Sequence, residues 1–446
     1  MTSYDTFANG PRYPNATTER HSTNDGYQLT VSYLGKEGFS LVLWAPTFIA
    51  REKWVERIKA QKEVVRQRNM IFDTHTLNEG VLLKETEINC AVPYDNGRRV
   101  AYGTNDGVYI QSFDDDKLGK PIKKIDLQDV KQVDILGNYN LLIVLSERSV
   151  LTFPLDALDK DNPMECVQRV TSNASFFRVG HCLRRTFICT AKISALRSTI
   201  KVLEPIDPNI RARSKSTFQK LFQGGDDRLK TFKEFYIVGV SCSIQFLKTK
   251  LCIACETGFE ILDIETLDIQ SLLDPADISL DFVHHHKDFY YDAGSDHVWW
   301  TEFAFYVDKS GWRSKKDFII RWKGNPTASA FHHPYVIAFN PEFVEIWHVE
   351  FGNLVQVIQG DNLRVLFVDN RRSTMPSSHA VYQQPYGQKS SYDQHDEPPS
   401  YELATHSSQG QGHERDKVIL FSDNKVVELR AVPPPPLADA SVSTNA

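Results

Sequence analysis

Leu251–Leu267, LCIACETGFEILDIETL, is the stretch whose reading decides the fold. LCIAC is apolar throughout, ETG supplies a turn, and FEILDI alternates apolar and polar residues with the period of a half-buried strand. The run also holds a Cys-x-x-Cys, a spacing found in zinc and redox sites. A shared metal or an easy disulfide needs both sulfurs on one side, normally from a turn. On a strand, Cys252 and Cys255 are three apart and point to opposite faces. The stretch therefore reads as a β-hairpin.

The same strand–turn–strand pattern recurs along the chain. It appears at Arg98–Phe113 (RRVAYGTNDGVYIQSF), Tyr139–Leu155 (YNLLIVLSERSVLTFPL), Arg185–Leu203 (RTFICTAKISALRSTIKVL) and His297–Trp312 (HVWWTEFAFYVDKSGW). It returns at Pro334–Val349 (PYVIAFNPEFVEIWHV) and Lys417–Val432 (KVILFSDNKVVELRAV). Most of the turns are about 40–50 residues apart, the spacing of β-propeller blades, with further strands completing each blade. Two intervals are longer, and each holds a polar insertion. One is Pro208–Phe235. The other, residues 371–416, is rich in Ser, Gln, His and Pro and reads as a disordered loop inside the last blade. The expected fold is all-β, a seven-bladed propeller over residues 79–432, beginning near Gly80. The ring is expected to close by pairing GVLLKE (Gly80–Glu85) or TEINCAV (Thr86–Val92) with the last hairpin.

Ahead of the propeller, residues 25–70 read as two strands, YQLTVSYL and FSLVLWAP, and a helix starting at FIAREKW. Thr47 is placed to cap this helix, and Trp54, Ile58, Gln61 and Val65 fall on one stripe. So short a piece cannot close a core of its own and must lean on something else. Residues 1–24 are Asn/Thr/Ser-rich and read as disordered. Residues 433–446 open with four prolines and read as a solvated tail.

Composition narrows the function classes. Hydrophobic residues make up 41% of the 446 and aromatics 11%, enough for a substantial core. With 51 basic and 57 acidic residues the chain lacks the basic excess of a dedicated nucleic-acid binder. Seven scattered cysteines without a framework suggest reduced thiols. The N-terminus has no apolar signal-like core, and no run approaches the ~18 apolar residues of a membrane span. The expectation is a soluble cytoplasmic protein, peripheral at the cell cortex or plasma membrane.

Four stretches carry a family resemblance: Gly258–Pro275 (GFEILDIETLDIQSLLDP), Glu302–Ser314 (EFAFYVDKSGWRS), Ile319–Phe331 (IIRWKGNPTASAF) and Val344–Phe367 (VEIWHVEFGNLVQVIQGDNLRVLF). They resemble the citron homology (CNH) domain, and EFAFYVDKSGW followed by RWKGNP resembles the fungal exchange factors for Rho-type GTPases. The resemblance covers roughly Glu79 to Arg430. Phe39–Ile58 (FSLVLWAPTFIAREKWVERI) resembles the last strand and helix of a PH domain, with Trp54 at that helix's typical tryptophan. In such exchange factors a DH domain carries nucleotide exchange, and this sequence has none. The resemblance thus implies a non-catalytic regulatory propeller without cofactor. Its implied partners are a Rho-type small GTPase and the DH–PH unit of its own parent protein. Two other readings stand beside it: a CNH scaffold of a kinase tail or vesicle-tethering factor, and a propeller hydrolase with a metal in its channel.

No nucleotide-binding, nucleophile-elbow or zinc-protease motif is present. The histidine runs His284–His286 and His332–His333, and the acidic run Asp114–Asp116, read as solvated loops and a turn. Three features are candidates for binding. The first is KSGWRSKK, where Trp312 stands with Arg313, Lys315 and Lys316; aromatics and Arg concentrate at interface hot spots. The alternative is a hairpin end whose tryptophan caps a neighbouring blade. The second is the insertion carrying Arg211, Arg213, Lys215, Lys220, Arg228, Lys230 and Lys233, with Phe218, Leu221 and Phe222 at helical spacing. It reads equally as a basic amphipathic helix or as a loop packed on the propeller. The third is PPSY, Pro398, Pro399 and Tyr401, which resembles the ligands of WW-domain proteins.

Overall fold

The structure, a computed structural model, describes residues 26–33, 35–36, 38–80, 86–114, 117–209, 228–255, 258–285, 289–292, 297–300, 303–308, 310–369 and 417–432. Each of the seven hairpins forms the central strand pair of one antiparallel sheet; Lys250–Cys255, for example, pairs with Gly258–Asp263. Outer strands complete these sheets in chain order around a β-propeller. Six sheets are regular four-stranded blades, where seven of one kind were expected. The remaining sheet comes first in the chain and has five strands. Its outer edge is split into Lys117–Leu118 and Ile122–Asp126, which both pair with Gly107–Asp114.

Hydrophobic clusters lie between successive sheets. Val144, Leu151 and Phe153 pack on Val92, Ala101 and Ile110, joining the second sheet to the first. Leu77, Ile419, Phe421 and Val426 pack on Ala91, Val100 and Tyr102, joining the last sheet to the first. Cys252 belongs to the cluster shared with the following sheet and Cys255 to the one shared with the preceding sheet. Their side chains therefore point to opposite faces, as strand geometry required. Burial pushes the Cys255 thiol up to about 11 and Cys252 well above its usual range.

Ring closure differs from expectation. The strand that pairs with Lys425–Ala431 is Phe72–Glu79, ahead of both expected segments. Of those, Ile88–Tyr94 is instead the innermost strand of the first sheet, and residues 81–85 lie outside the described residues. FDTHTLNE escaped the sequence reading because it does not alternate: its buried side chains are Phe72, Leu77 and Asn78. The strand is held from three sides. The side-chain carbonyl of Gln356 accepts from the amides of Ile71 (2.8 Å) and Phe72 (2.9 Å), and its amide group donates to Phe72 O (2.7 Å). From the first sheet, Gln111 donates to Leu77 O at 3.0 Å.

The N-terminal piece is a two-stranded hairpin, Tyr27–Ser32 with Ser40–Ala45, followed by the helix Phe48–Arg68. Thr47 caps the helix as its sequence indicated, its Oγ1 accepting from the Ala50 amide at 3.1 Å. The expected stripe is not the buried one. Only Val55 is buried, while Trp54, Gln61 and Val65 are exposed.

Candidate interaction surfaces

The Trp312 turn is built by acidic side chains that accept backbone amides. Asp308 Oδ1 accepts from Ser310 N (2.8 Å) and Trp312 N (3.0 Å), and Asp277 Oδ2 accepts from Arg313 N (2.8 Å). Gly311 sits at φ +84° with its α-carbon so close to the previous sheet that a Cβ would lie 2.1 Å from Leu272 O. The Trp312 indole N–H donates to Asp274 Oδ2 at 3.1 Å, and the residue stays 41% exposed. Trp312 therefore both caps the loop of the preceding blade and shows part of its ring to solvent.

Its basic neighbours divide. The Arg313 guanidinium lies 5.1 Å from the Phe282 ring and 5.8 Å from that of Phe305, and Nη2 donates to Phe318 O at 3.3 Å. Burial lowers its pKa. The Lys315 ammonium stands 4.1 Å over the Tyr306 ring. Lys316 is exposed. Two of the three charges thus brace the turn through cation–π contacts.

Of the second candidate, Arg211, Arg213, Lys215, Phe218 and Phe222 lie outside the described residues. Arg228 is a structural residue, not a surface charge: it is buried, donating to Thr152 O (3.0 Å), Thr152 Oγ1 (3.2 Å) and Cys166 O (2.8 Å). Its stem and fork tie the third sheet to the second, which a count of basic residues could not reveal. Lys233 belongs to the strand Leu229–Val238 and donates to Glu265 O at 3.1 Å. The PPSY residues Pro398, Pro399 and Tyr401 are likewise outside the described residues, as are Asp115, Asp116 and His286. His332 packs its ring 5.3 Å from Phe72, and His333 lies 6.1 Å from Phe331, so this pair belongs to an aromatic cluster. Among the described residues no group of three His, Cys, Asp or Glu side chains gathers in a metal-holding arrangement.

A further surface belongs to the hairpin and helix. Leu41, Val42, Leu43 and Trp44 are consecutive and all exposed, so both faces of their strand lack cover. Phe48, Ile49, Trp54 and Val64 extend this apolar surface along the helix. Exposed large apolar side chains gathered on one hairpin and its helix make this piece a candidate interaction surface. The piece is nonetheless fastened to the propeller, with Lys36 N donating to Lys323 O (2.6 Å) and Lys62 Nζ to Gln359 Oε1 (3.4 Å). The Lys323–Gly324 segment is itself fixed by Glu345, which is fully buried. Its carboxylate accepts from Lys323 N (2.9 Å), Gly324 N (2.8 Å), Asn340 Nδ2 (3.1 Å) and Trp347 Nε1 (2.9 Å). In sequence Glu345 stands in FVEIWHV like any outward-facing strand residue, and nothing local signals four donors converging on it.

Inside the ring, the inner strands of six sheets line a cavity of about 1370 Å³. Asn89, Gln132, Arg178, Gln245, Ser329 and Asp369 are among its polar lining.

A closed ring of antiparallel sheets with this connectivity defines a β-propeller, and the chain belongs to the CNH-domain family, which it matches over residues 96–369. Residues 3–62 match the pleckstrin homology domain. Among curated relatives it is 35% identical over 323 residues to Rho1 guanine nucleotide exchange factor 1 of Schizosaccharomyces pombe, covering 70% of this chain and 24% of that protein. It is 27% identical over 346 residues to RHO1 GDP-GTP exchange protein 2 of Saccharomyces cerevisiae, covering 72% and 25%. The chain thus spans about a quarter of the length of the curated relatives it matches. The solved AfRom2 CNH domain superposes with a TM-score of 0.60 at 29% identity, covering 81% of this chain and 99% of that one.

Proposed function

We propose that the chain is the regulatory, non-catalytic CNH propeller of a Rho-type guanine nucleotide exchange factor, and that it acts by holding the DH–PH unit of its parent protein. The observation that supports this most is the hairpin–helix, fastened to the propeller at Lys323 and Gln359 while Leu41–Trp44 stay exposed. A PH-type module joined to the propeller through its final strands and helix would turn that apolar face toward its own remaining strands. Movement of the module would then be felt at the Lys323 seam. In this reading the five-stranded sheet counts as a blade and the ring has seven. Exchange chemistry belongs to the DH domain, and the propeller contributes position.

Direct contact with the Rho-type GTPase is the second reading, favoured by the half-exposed Trp312 ring beside Lys316. Interferometry separates the two. The chain is presented to a DH–PH unit that stops short of the last two strands and helix of its PH domain, and to a fungal Rho-type GTPase loaded with GDP or a GTP analogue. The first reading expects saturable binding to the DH–PH unit that Leu43→Asp abolishes and Trp312→Ala leaves intact. The second expects nucleotide-dependent GTPase binding weakened about tenfold or more by Trp312→Ala, the loss of a hot-spot aromatic. Failure to bind the DH–PH unit at any concentration would sink the first reading.

A further inference from the structure

We propose that the central cavity is an oxyanion site centred on Arg178, which takes the phosphate or carboxylate group of a small ligand entering the channel. Arg178 lies on Phe176–Cys182, the innermost strand of the third sheet, and lines the cavity. Residues alternate there: Phe177 and Val179 turn into the packing with the second sheet, which leaves Arg178 on the other face.

Three polar side chains of the neighbouring inner strand Val130–Leu136 are engaged with other groups. Gln132 on the neighbouring inner strand accepts the Phe177 amide N–H at its Oε1, 2.8 Å away. Lys131 pairs with Asp129 at 2.6 Å. Asp134 exerts an attractive pull on Arg178, but its Oδ1 accepts the Ile135 amide at 2.7 Å. The Nε of Arg178 is buried and has no hydrogen-bond partner. Aromatic rings flank this part of the strand. The Phe176 ring centre stands 6.0 Å from the guanidinium carbon, and the Phe246 ring covers Gly180 so tightly that a Cβ there would fall 2.1 Å from it.

Burial lowers the Arg178 pKa, yet a guanidinium does not lose its proton in a protein. A half-buried guanidinium whose Nε is out of water and without a partner is incompletely satisfied, and a planar fork of N–H donors is the group best matched to a carboxylate or phosphate. The cavity is large enough to admit a small molecule around that group.

The test is calorimetry and thermal melting of the full chain in low-salt buffer, titrated with inorganic phosphate and, separately, with acetate. The expected result is saturable stabilisation by one of the two, which identifies the anion class, and at least about a tenfold loss of affinity in Arg178→Met. Arg178→Met should also melt at the same temperature as the parent or higher when no anion is added, because an apolar side chain of similar reach replaces a half-buried, incompletely paired charge. Arg178→Lys, which keeps the charge but loses the fork, should bind with intermediate affinity. An undiminished response in Arg178→Met would overturn the proposal. So would the absence of any response in the parent chain, or a lower melting temperature in anion-free Arg178→Met.

Discussion

Removing Phe72–Glu79 should abolish the single cooperative melting transition of the propeller. This strand closes the ring by pairing with Lys425–Ala431, and without it the last sheet keeps only three strands, all from the C-terminal part of the chain. The loss is not confined to that sheet. Phe72 packs with Ile337, Phe339 and Leu429, whereas Leu77 packs with Ile88 and Tyr102, so one strand contributes to two seams of the ring. Each of these two side chains is worth about 1.5–3 kcal/mol when fully buried. Seven backbone pairings and the Gln356 clamp go with them. The sum approaches the ~5–15 kcal/mol by which a typical domain is stable. Circular dichroism melting and hydrogen exchange should show protection lost in the last and first sheets together. A graded version is Gln356→Leu, which strands two amides and a carbonyl and should cost about 2–3 kcal/mol. A melt unchanged by the deletion would mean that the ring is closed by something other than this strand.

Glu345→Ala should be among the most damaging single substitutions, at about 3–5 kcal/mol. The carboxylate is wholly buried and receives four donors from three segments, so removing it strands all four at once. Glu345→Gln preserves volume but presents an amide N–H₂ where an oxygen accepted two N–H groups, so it should rescue little. Urea unfolding gives the comparison: a lower midpoint at unchanged slope is expected for both. A second effect distinguishes this site from an ordinary core position. Lys323 O is the acceptor for Lys36 N, so loosening the Lys323–Gly324 segment should also increase exchange of the Lys36 amide before global unfolding. A loss below about 1 kcal/mol would show that the four donors find other partners.

The hairpins were legible because period-two alternation and turn chemistry are local. In two of them the tight turns hold consecutive residues at positive φ, Glu147 and Arg148 (+46° and +61°), and Asp423 and Asn424 (+51° and +59°). The second pair announces itself as Asp-Asn. Glu-Arg does not, and that turn was found only because strand-like apolar runs, LLIVLS and SVLTFP, flank it. Ring closure was illegible for a different reason. Its partners lie at opposite ends of the chain, and FDTHTLNE has too few buried side chains to show a strand period. The five-stranded sheet was missed because its outer edge is broken into two short pieces, one of them two residues long.

The candidate surfaces were legible in part. Trp312 was visible as an aromatic in a basic turn, but whether Arg313 and Lys315 reach solvent depends on Phe282, Phe305 and Tyr306, which only the fold brings alongside. For Arg228 the sequence left a basic helix and a loop packed on the propeller equally open, because burial against backbone carbonyls of the second blade has no sequence signature. Arg178 carried a faint signal, a charge inside FFRVGHC, but an outward-facing strand residue looks the same. The apolar run Leu41–Trp44 shows the opposite limit. Its composition said that the hairpin needs cover, and the described residues leave that cover unsupplied.

The central claim is that this propeller regulates exchange without performing it. The direct measurement follows loss of fluorescent GDP from a Rho-type GTPase in the presence of the chain alone, of the DH–PH unit alone, and of both at increasing chain concentration. The account predicts no acceleration by the chain alone and a saturable change in the DH–PH-catalysed rate, abolished by Leu43→Asp. Acceleration by the chain alone, or a DH–PH rate unmoved at saturating chain, would contradict it.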